Sequence, residues 1–244
     1  MSWEQTPASP LTYSFITTTD DGKNVAATTR YGGPNNTGYL IRSKNSGASW
    51  DVQNPGTPKQ EFLGVSVGGP DYTFIILAGV GPLTFSSDDG YVFNNINGIN
   101  GNYEAIITNP SFTKWASFNG RDGIIYGGNI GATVSEFTTI NYNSDKGYWN
   151  TIVGNEDFSK IIAAGDRSLI KVSPNLINNP EGEWMNLDTG TTGTNWTGLA
   201  ATKDLKKIVL VGNIQDKRIP IGDGKFLPYE IGKNPFFSLD GGNT

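Results

Sequence analysis

The 244-residue chain contains no histidine and no cysteine. Without histidine there can be no Ser-His-Asp relay, no imidazole-bound zinc and no histidine general base. Without cysteine there can be no disulfide, no thiolate metal site and no thiol nucleophile. Any catalysis would rest on carboxylates, tyrosine, lysine or arginine. Charged residues make up 17% of the chain, below the usual quarter, and only five of them are arginines. No run of Lys or Arg stands out and the formal net charge is −5, which argues against a nucleic-acid binder. The longest apolar stretch, Phe74 to Val80, is far short of a membrane span. The start, Met1-Ser2-Trp3-Glu4, has neither the basic nor the apolar region of a secretory signal. No D-x-[DN]-x-[DN]-G loop occurs, so neither metal nor cofactor is expected.

What is present is glycine (32), proline (13) and 11% aromatics, the composition of many short strands joined by tight turns. Two segments align without a gap. Trp149, Ile152, Asp157, Lys160, Ile161 and Gly165 stand in register with Trp196, Leu199, Asp204, Lys207, Ile208 and Gly212. Each segment reads as strand, turn at the Asp, strand. The same template finds weaker copies opening at Tyr13, Phe62 and Tyr103, so five aromatic anchors are spaced by 49, 41, 46 and 47 residues.

A second motif follows each copy. Ser43, Asn45, Gly47, Ser49 and Trp50 fit S-x-D-x-G-x-T-W with Asn for Asp, and Ser86, Asp88, Gly90 and Phe93 fit it with Phe for Trp. Gly127, Asn129, Gly131 and Thr133 form a degraded copy; Ser173 and Asn175 open a fourth, with an insertion before Trp184. Ser238, Asp240 and Gly242 form a fifth that lacks its Trp, and Trp3 is expected to complete it in space. The pattern resembles the Asp-box, or bacterial neuraminidase repeat. In that family it is the turn between the third and fourth strands of a propeller blade. Asx oxygens accept hydrogen bonds from turn amides, glycine supplies positive φ, and the aromatic packs at the start of the next strand.

The resemblance implies an all-β chain forming a single five-bladed β-propeller of four-stranded antiparallel blades. The expected blades cover approximately residues 11–54, 60–97, 101–140, 147–188, and 194–244 with 2–6. The N-terminal strand would join the last blade and close the ring, removing an open edge. It also implies that the box residues, Trp3 included, are structural.

In such a fold the loops between second and third strands share one face with the connections between blades. Here those loops are expected at about 29–38, 79–82, 119–123, 165–168 and 213–235, and the Asn/Gly-rich stretch 94–102 is expected to serve turns. Arg30, Arg121, Arg167 and Arg218 fall in or beside these loops with Asp122 and Asp166, and the 213–235 insertion adds Tyr229. These seven residues are the candidate ligand- or partner-binding set, since guanidinium is a planar fork suited to oxyanions.

Sialidases of the resembling family need an arginine triad and a Tyr–Glu pair, and the chain lacks their F-R-I-P motif; no Tyr–Glu pair is expected beside Arg30, Arg121 and Arg167. Five-bladed glycosidases place three carboxylates on inner strands, where this chain offers only Glu61 and Glu104. The expectation is therefore no catalytic residue and no enzyme, but a recognition or scaffold module of a larger assembly, such as a virus particle. It would bind a protein or a glycan, and would be cytoplasmic or virion-associated, with no nucleic acid and no membrane insertion. A carbohydrate-binding lectin is the alternative and a glycosidase the second alternative.

Overall fold

The computed structural model describes residues 11–19, 21–31, 38–55, 60–120, 122–131, 133–142, 147–166, 170–176, 179, 182–187, 194–214, 219–220, 226–227 and 236–238. Trp3, Arg121, Arg167, Arg218, Tyr229, Asp240 and Gly242 lie outside them. The described secondary structure is strands and two short 3-10 turns, Pro70–Tyr72 and Val134–Glu136. No helix among the described residues is long and apolar enough to cross a membrane.

The chain divides into two compact units, Met1–Arg121 with Ile125–Ile140, and Asp122–Ile124 with Asn141–Thr244. In the first unit, β1 (Tyr13–Thr18), β2 (Val25–Thr29), β3 (Leu40–Ser43) and β4 (Asp51–Gln53) form a four-stranded sheet in chain order. A six-stranded sheet follows, from β5 (Phe62–Gly68) through β6 (Phe74–Ser86), β7 (Asn94–Thr108), β8 (Lys114–Asn119) and β9 (Ile125–Asn129) to β10 (Ile140–Asn141). In the second unit, β11 (Trp149–Gly154), β12 (Ile161–Gly165), β13 (Ile170–Val172) and β14 (Met185–Asn186) form a four-stranded sheet. Its companion joins β15 (Thr194–Ala201) and β16 (Ile208–Ile214), then, beyond a small hairpin of β17 (Ile219–Pro220) and β18 (Phe226–Leu227), β19 (Phe236–Ser238). The ladders are antiparallel.

Two expected loops are strand instead. Residues 79–82 lie inside β6, and 94–102 lie inside β7, where Val80 pairs with Asn102 and Gly81 with Gly101. Asn and Gly are poor strand formers, but an available ladder partner outweighs intrinsic preference. β6 and β7 thereby join what the sequence divides at residue 97 into one continuous sheet. The 213–235 insertion likewise contains the β17–β18 pairing.

All five aromatic anchors are followed by the same irregularity. The register shifts between Tyr13 and Phe15, Phe62 and Gly64, Tyr103 and Ala105, Trp149 and Thr151, and Trp196 and Gly198. A β-bulge at one point in every repeat bends each inner strand and re-aims the bulged residue. That residue reaches the next repeat twice over. Ser14 Oγ donates to the Phe62 carbonyl at 2.6 Å, and Asn150 Nδ2 donates to the Trp196 carbonyl at 2.8 Å.

The turn after each inner strand also repeats. Its fourth residue is left-handed in every copy: Gly22, Tyr72, Phe112, Phe158 and Leu205, with φ between 53° and 68°. At Phe112, Phe158 and Leu205 the cost of positive φ in a bulky residue is offset by burial, for these side chains are 3%, 2% and 7% exposed. Phe112 fits because Gly68 has no Cβ; one built there would lie 2.4 Å from the ring.

The cores lie between repeats. Ala26 and Leu40 of the first repeat pack with Phe62, Val65, Ile75 and Leu77 of the second. Ile76, Leu83 and Phe85 pack with Tyr103, Ile106, Phe112 and Trp115 of the third. In the other unit, Ile162, Ala164 and Ile170 pack with Trp196, Leu205 and Ile208. Truncating a fully buried tryptophan such as Trp115 costs about 3–5 kcal/mol. The first repeat differs: Ile16 is 65% exposed, whereas its counterparts Val65, Ile106 and Ile152 are at most 5% exposed.

The box turns take the form that the motif requires in two copies. Ser43 Oγ accepts from Gly47 N at 2.8 Å and donates to Asn45 Oδ1 at 2.9 Å, and Asn45 Oδ1 accepts from Ser49 N at 2.8 Å. Ser86 Oγ accepts from Gly90 N at 2.9 Å and donates to Asp88 Oδ1 at 2.7 Å, and Asp88 Oδ1 accepts from Val92 N at 3.0 Å. Gly47 and Gly90 have φ of 89° and 81°. Trp50 Nε1 donates to the Gly47 carbonyl at 2.9 Å. Phe93 packs beside the first core.

The third copy cannot build this network, because Gly127 has no hydroxyl; the Asn129 amide instead donates to Thr138 Oγ1, the Asn129 carbonyl accepts from the Thr138 amide, and Gly131 packs on Glu136. One backbone bond is nonetheless kept in four repeats. The amide three residues into the box, at Ser46, Asp89, Ile130 and Leu176, donates to the inner-strand turn at Lys23, Thr73, Thr113 and Ser159. Both turns therefore lie on one face, in register with the motif. Of the fifth copy only the Ser238 backbone, at the end of β19, is described.

Candidate functional site

The opposite end of the inner strands, in the first unit, collects Arg30, Tyr31, Glu61 and Glu104. Arg30 and Tyr31 follow the last residue of β2. Glu61 immediately precedes the Phe62 anchor, and its carbonyl accepts from Val80 N at 3.1 Å. Glu104 is the bulged residue after Tyr103. Three consecutive repeats thus contribute to one cluster, and the bulge turns Glu104 toward it.

Arg30 Nε donates to Glu61 Oε2 at 2.7 Å, with the two side chains 53% and 23% exposed. The guanidinium also lies over the Tyr31 ring, 5.6 Å from its centroid. The Arg30 hydrogen bond holds the Glu61 carboxyl below its usual range; burial opposes this, and a hydrogen bond from Tyr31 adds to it. Glu104 shifts the other way. Burial raises its pKa, and the nearby charge of Arg30 opposes the rise only in part. Its carboxyl rests on Gly120, where a Cβ would lie 1.9 Å from an oxygen. Glu104 has no hydrogen-bond partner among the described residues, and the Arg30 guanidinium has a hydrogen bond with Tyr31 besides the one to Glu61.

The sequence placed Arg30 here and named Glu61 and Glu104 as inner-strand carboxylates, but passed over Tyr31. Tyr31 stands near enough to Glu61 to help lower the pKa of that carboxyl. Arg-Tyr at a strand end, with a Glu directly before the next aromatic anchor, is the signal that could have found it.

The other described candidates belong to the second unit. Asp122 Oδ1 accepts from Ile124 N at 3.0 Å, which caps its own turn. Asp166 Oδ1 accepts from Asn150 Nδ2 at 2.8 Å, within the network that crosses to Trp196. Arg42, the remaining arginine, is 3% exposed and clamps the second box, donating to the Asp89 carboxylate, to the Asp89 carbonyl at 3.1 Å and to the Tyr72 carbonyl at 3.2 Å. Among the described residues no group of three or more His, Cys, Asp or Glu side chains is placed to hold a metal ion.

No family model matches the chain. No curated protein matches it either. Solved structures do. A GH74 xyloglucanase from Xanthomonas campestris superposes over 95% of this chain with TM-score 0.67 and 9% identity, and the chain spans 37% of that enzyme. The Cps50 (Swd1) β-propeller domain of Myceliophteria thermophila superposes over 85% with TM-score 0.62 and 10% identity, and the chain spans 64% of it. YCF48 bound to D1 peptide superposes over 98% with TM-score 0.59 and 14% identity, and the chain spans 82% of it. At these identities the likeness speaks to fold alone, and it puts this chain, whose described ladders are antiparallel, among proteins of β-propeller fold.

Proposed function

We propose that this protein is a non-catalytic recognition module, a five-bladed propeller that serves a larger assembly and binds through the face carrying Arg30 and Tyr31. The observation that carries this reading is the Arg30–Glu61 ion pair at 2.7 Å. A carboxylate paired with a guanidinium is held in its charged form with Oε2 occupied, and is thereby a weak general base. The same groups make a rigid, half-exposed recognition surface on a scaffold locked by repeated turns. A propeller of similar fold, YCF48, is seen bound to a peptide. Five bulged anchors and five left-handed turns support the count of five blades.

A photo-crosslinking residue placed at Tyr31 is expected to capture a partner from the native assembly, whereas one placed at Tyr91, 83% exposed on the box face, is expected to capture none. Equal capture from both positions would defeat the reading.

A glycosidase is the second reading, and one observation favours it. Glu61 and Glu104 have their pKa values pushed apart, the division that acid and nucleophile need. Turnover of aryl glycosides, abolished in Glu104→Gln and in Glu61→Gln, would replace the recognition reading with this one.

A further inference from the structure

We propose that the Arg30–Tyr31–Glu61–Glu104 cluster is a binding subsite for a neutral saccharide; this rests on the recognition reading and names its ligand class. The charge balance comes first. The charge of Arg30 is matched by Glu61 at 2.7 Å, and Glu104 adds a carboxyl without adding a cation. Among the described residues, an acidic sugar, a sulfate or a phosphate therefore meets no uncompensated positive charge at this cluster. It would also approach two carboxyl groups, so the anion recognition first expected of Arg30 is lost once the ion pair forms.

The hydrogen-bonding inventory comes second. Arg30 spends Nε on Glu61 and one further hydrogen bond on Tyr31, which leaves part of its five-donor fork, while Glu104 has no hydrogen-bond partner among the described residues. A donor fork beside a carboxyl suits adjacent hydroxyl groups, each of which gives one hydrogen bond and takes another. The desolvation that Glu104 suffers on Gly120 is offset when a sugar hydroxyl donates to its carboxylate. The third element is Tyr31, 48% exposed, whose ring offers an apolar platform for the C–H face of a pyranose, with Arg30 steadying it. Gly120 is part of the design: any side chain there would strike the Glu104 carboxyl.

The test is binding of the full chain to an array of neutral, sialylated and sulfated glycans and to a lysine-rich peptide, with affinities then measured by titration calorimetry. The expected result is binding to neutral glycans only. Tyr31→Ala and Glu104→Ala should each weaken it roughly tenfold or more, and Glu104→Gln less, because Gln keeps one acceptor. Gly120→Ala should weaken it without removing any ligand-facing group. Tyr91→Ala should leave it unchanged, and thermal melts of all variants should match the parent's within a few degrees. The proposal falls if the parent binds only acidic glycans, only the basic peptide, or nothing. It also falls if neutral-glycan binding survives Tyr31→Ala and Glu104→Ala intact. A protein that crosslinks a partner through position 31 yet binds no neutral glycan would end this inference and leave the recognition reading standing.

Discussion

The two complete box turns of the first unit make the same hydrogen bonds with different chemistry. The first uses Asn45 and the second Asp88, yet each side-chain oxygen takes a serine hydroxyl and a backbone amide at 2.7–3.0 Å. The turn therefore requires an acceptor oxygen and not a charge. Where the charge is present, it makes one turn sensitive to acid. The Ser86 hydroxyl, followed by the Val92 amide, holds the Asp88 carboxyl below its usual range. The turns differ in a second way. The residue before the glycine is Ser46 in one and Asp89 in the other, and only Asp89 is gripped, by Arg42 and Lys44. Burial works against the charge on Asp89, and Lys44 and Arg42 outweigh it.

Breaking that grip should have the largest effect. Arg42→Ala leaves Asp89 partly buried with only Lys44 beside it, and should destabilise the unit by about 3–5 kcal/mol in urea titration. A loss below about 1 kcal/mol would mean that Lys44 alone suffices. Ser43→Ala and Ser86→Ala come next. Each removes the acceptor for the glycine amide and the donor to the Asx oxygen, and each should cost about 1–3 kcal/mol. Equal losses are expected if the turns are equivalent, and a twofold difference would show that the charge on Asp88 matters at neutral pH.

The glycines should separate the turns further. A Cβ at Gly90 would lie 2.5 Å from Gln53 Oε1, whereas at Gly47 the nearest atom is Trp50 at 3.7 Å. Both φ angles are positive, so both Ala variants should lose about 1 kcal/mol or more, with Gly90→Ala losing more. The smallest effect at neutral pH should come from Asp88→Asn, under about 1 kcal/mol. Its signature is in acid. A carboxyl whose folded pKa is depressed adds stability above its unfolded pKa and loses it as pH falls through the folded one. Between about pH 4 and pH 2 the parent should lose stability more steeply than Asp88→Asn, and Asn45→Asp should steepen the loss. Parallel pH curves for all three proteins would refute the argument.

The repeat was legible because its markers are local. Trp149 and Trp196 open segments that align without a gap, and the box needs Ser, Asx and Gly at fixed offsets within one turn. The site was legible only in fragments. Tyr31 and Glu61 lie thirty positions apart and meet because β2 ends beside the start of β5, which no single-repeat pattern encodes. The stretch 94–102 was misjudged for the same reason: its Asn and Gly residues signal turns, and the ladder partner in β6 is remote in sequence.

Composition and spacing by themselves determined what chemistry is closed to this protein, that it is built of antiparallel strands, and where its inner strands and box turns begin. These follow from residue types and short-range hydrogen bonds, which the order of residues states directly. Tertiary structure alone decided that Arg30 pairs with Glu61, that Glu104 is left half-buried with no hydrogen-bond partner among the described residues, and that Arg42 is a clamp instead of a surface charge. Burial and pairing are properties of neighbours in space, and a side chain's chemistry is settled only when those neighbours are in place.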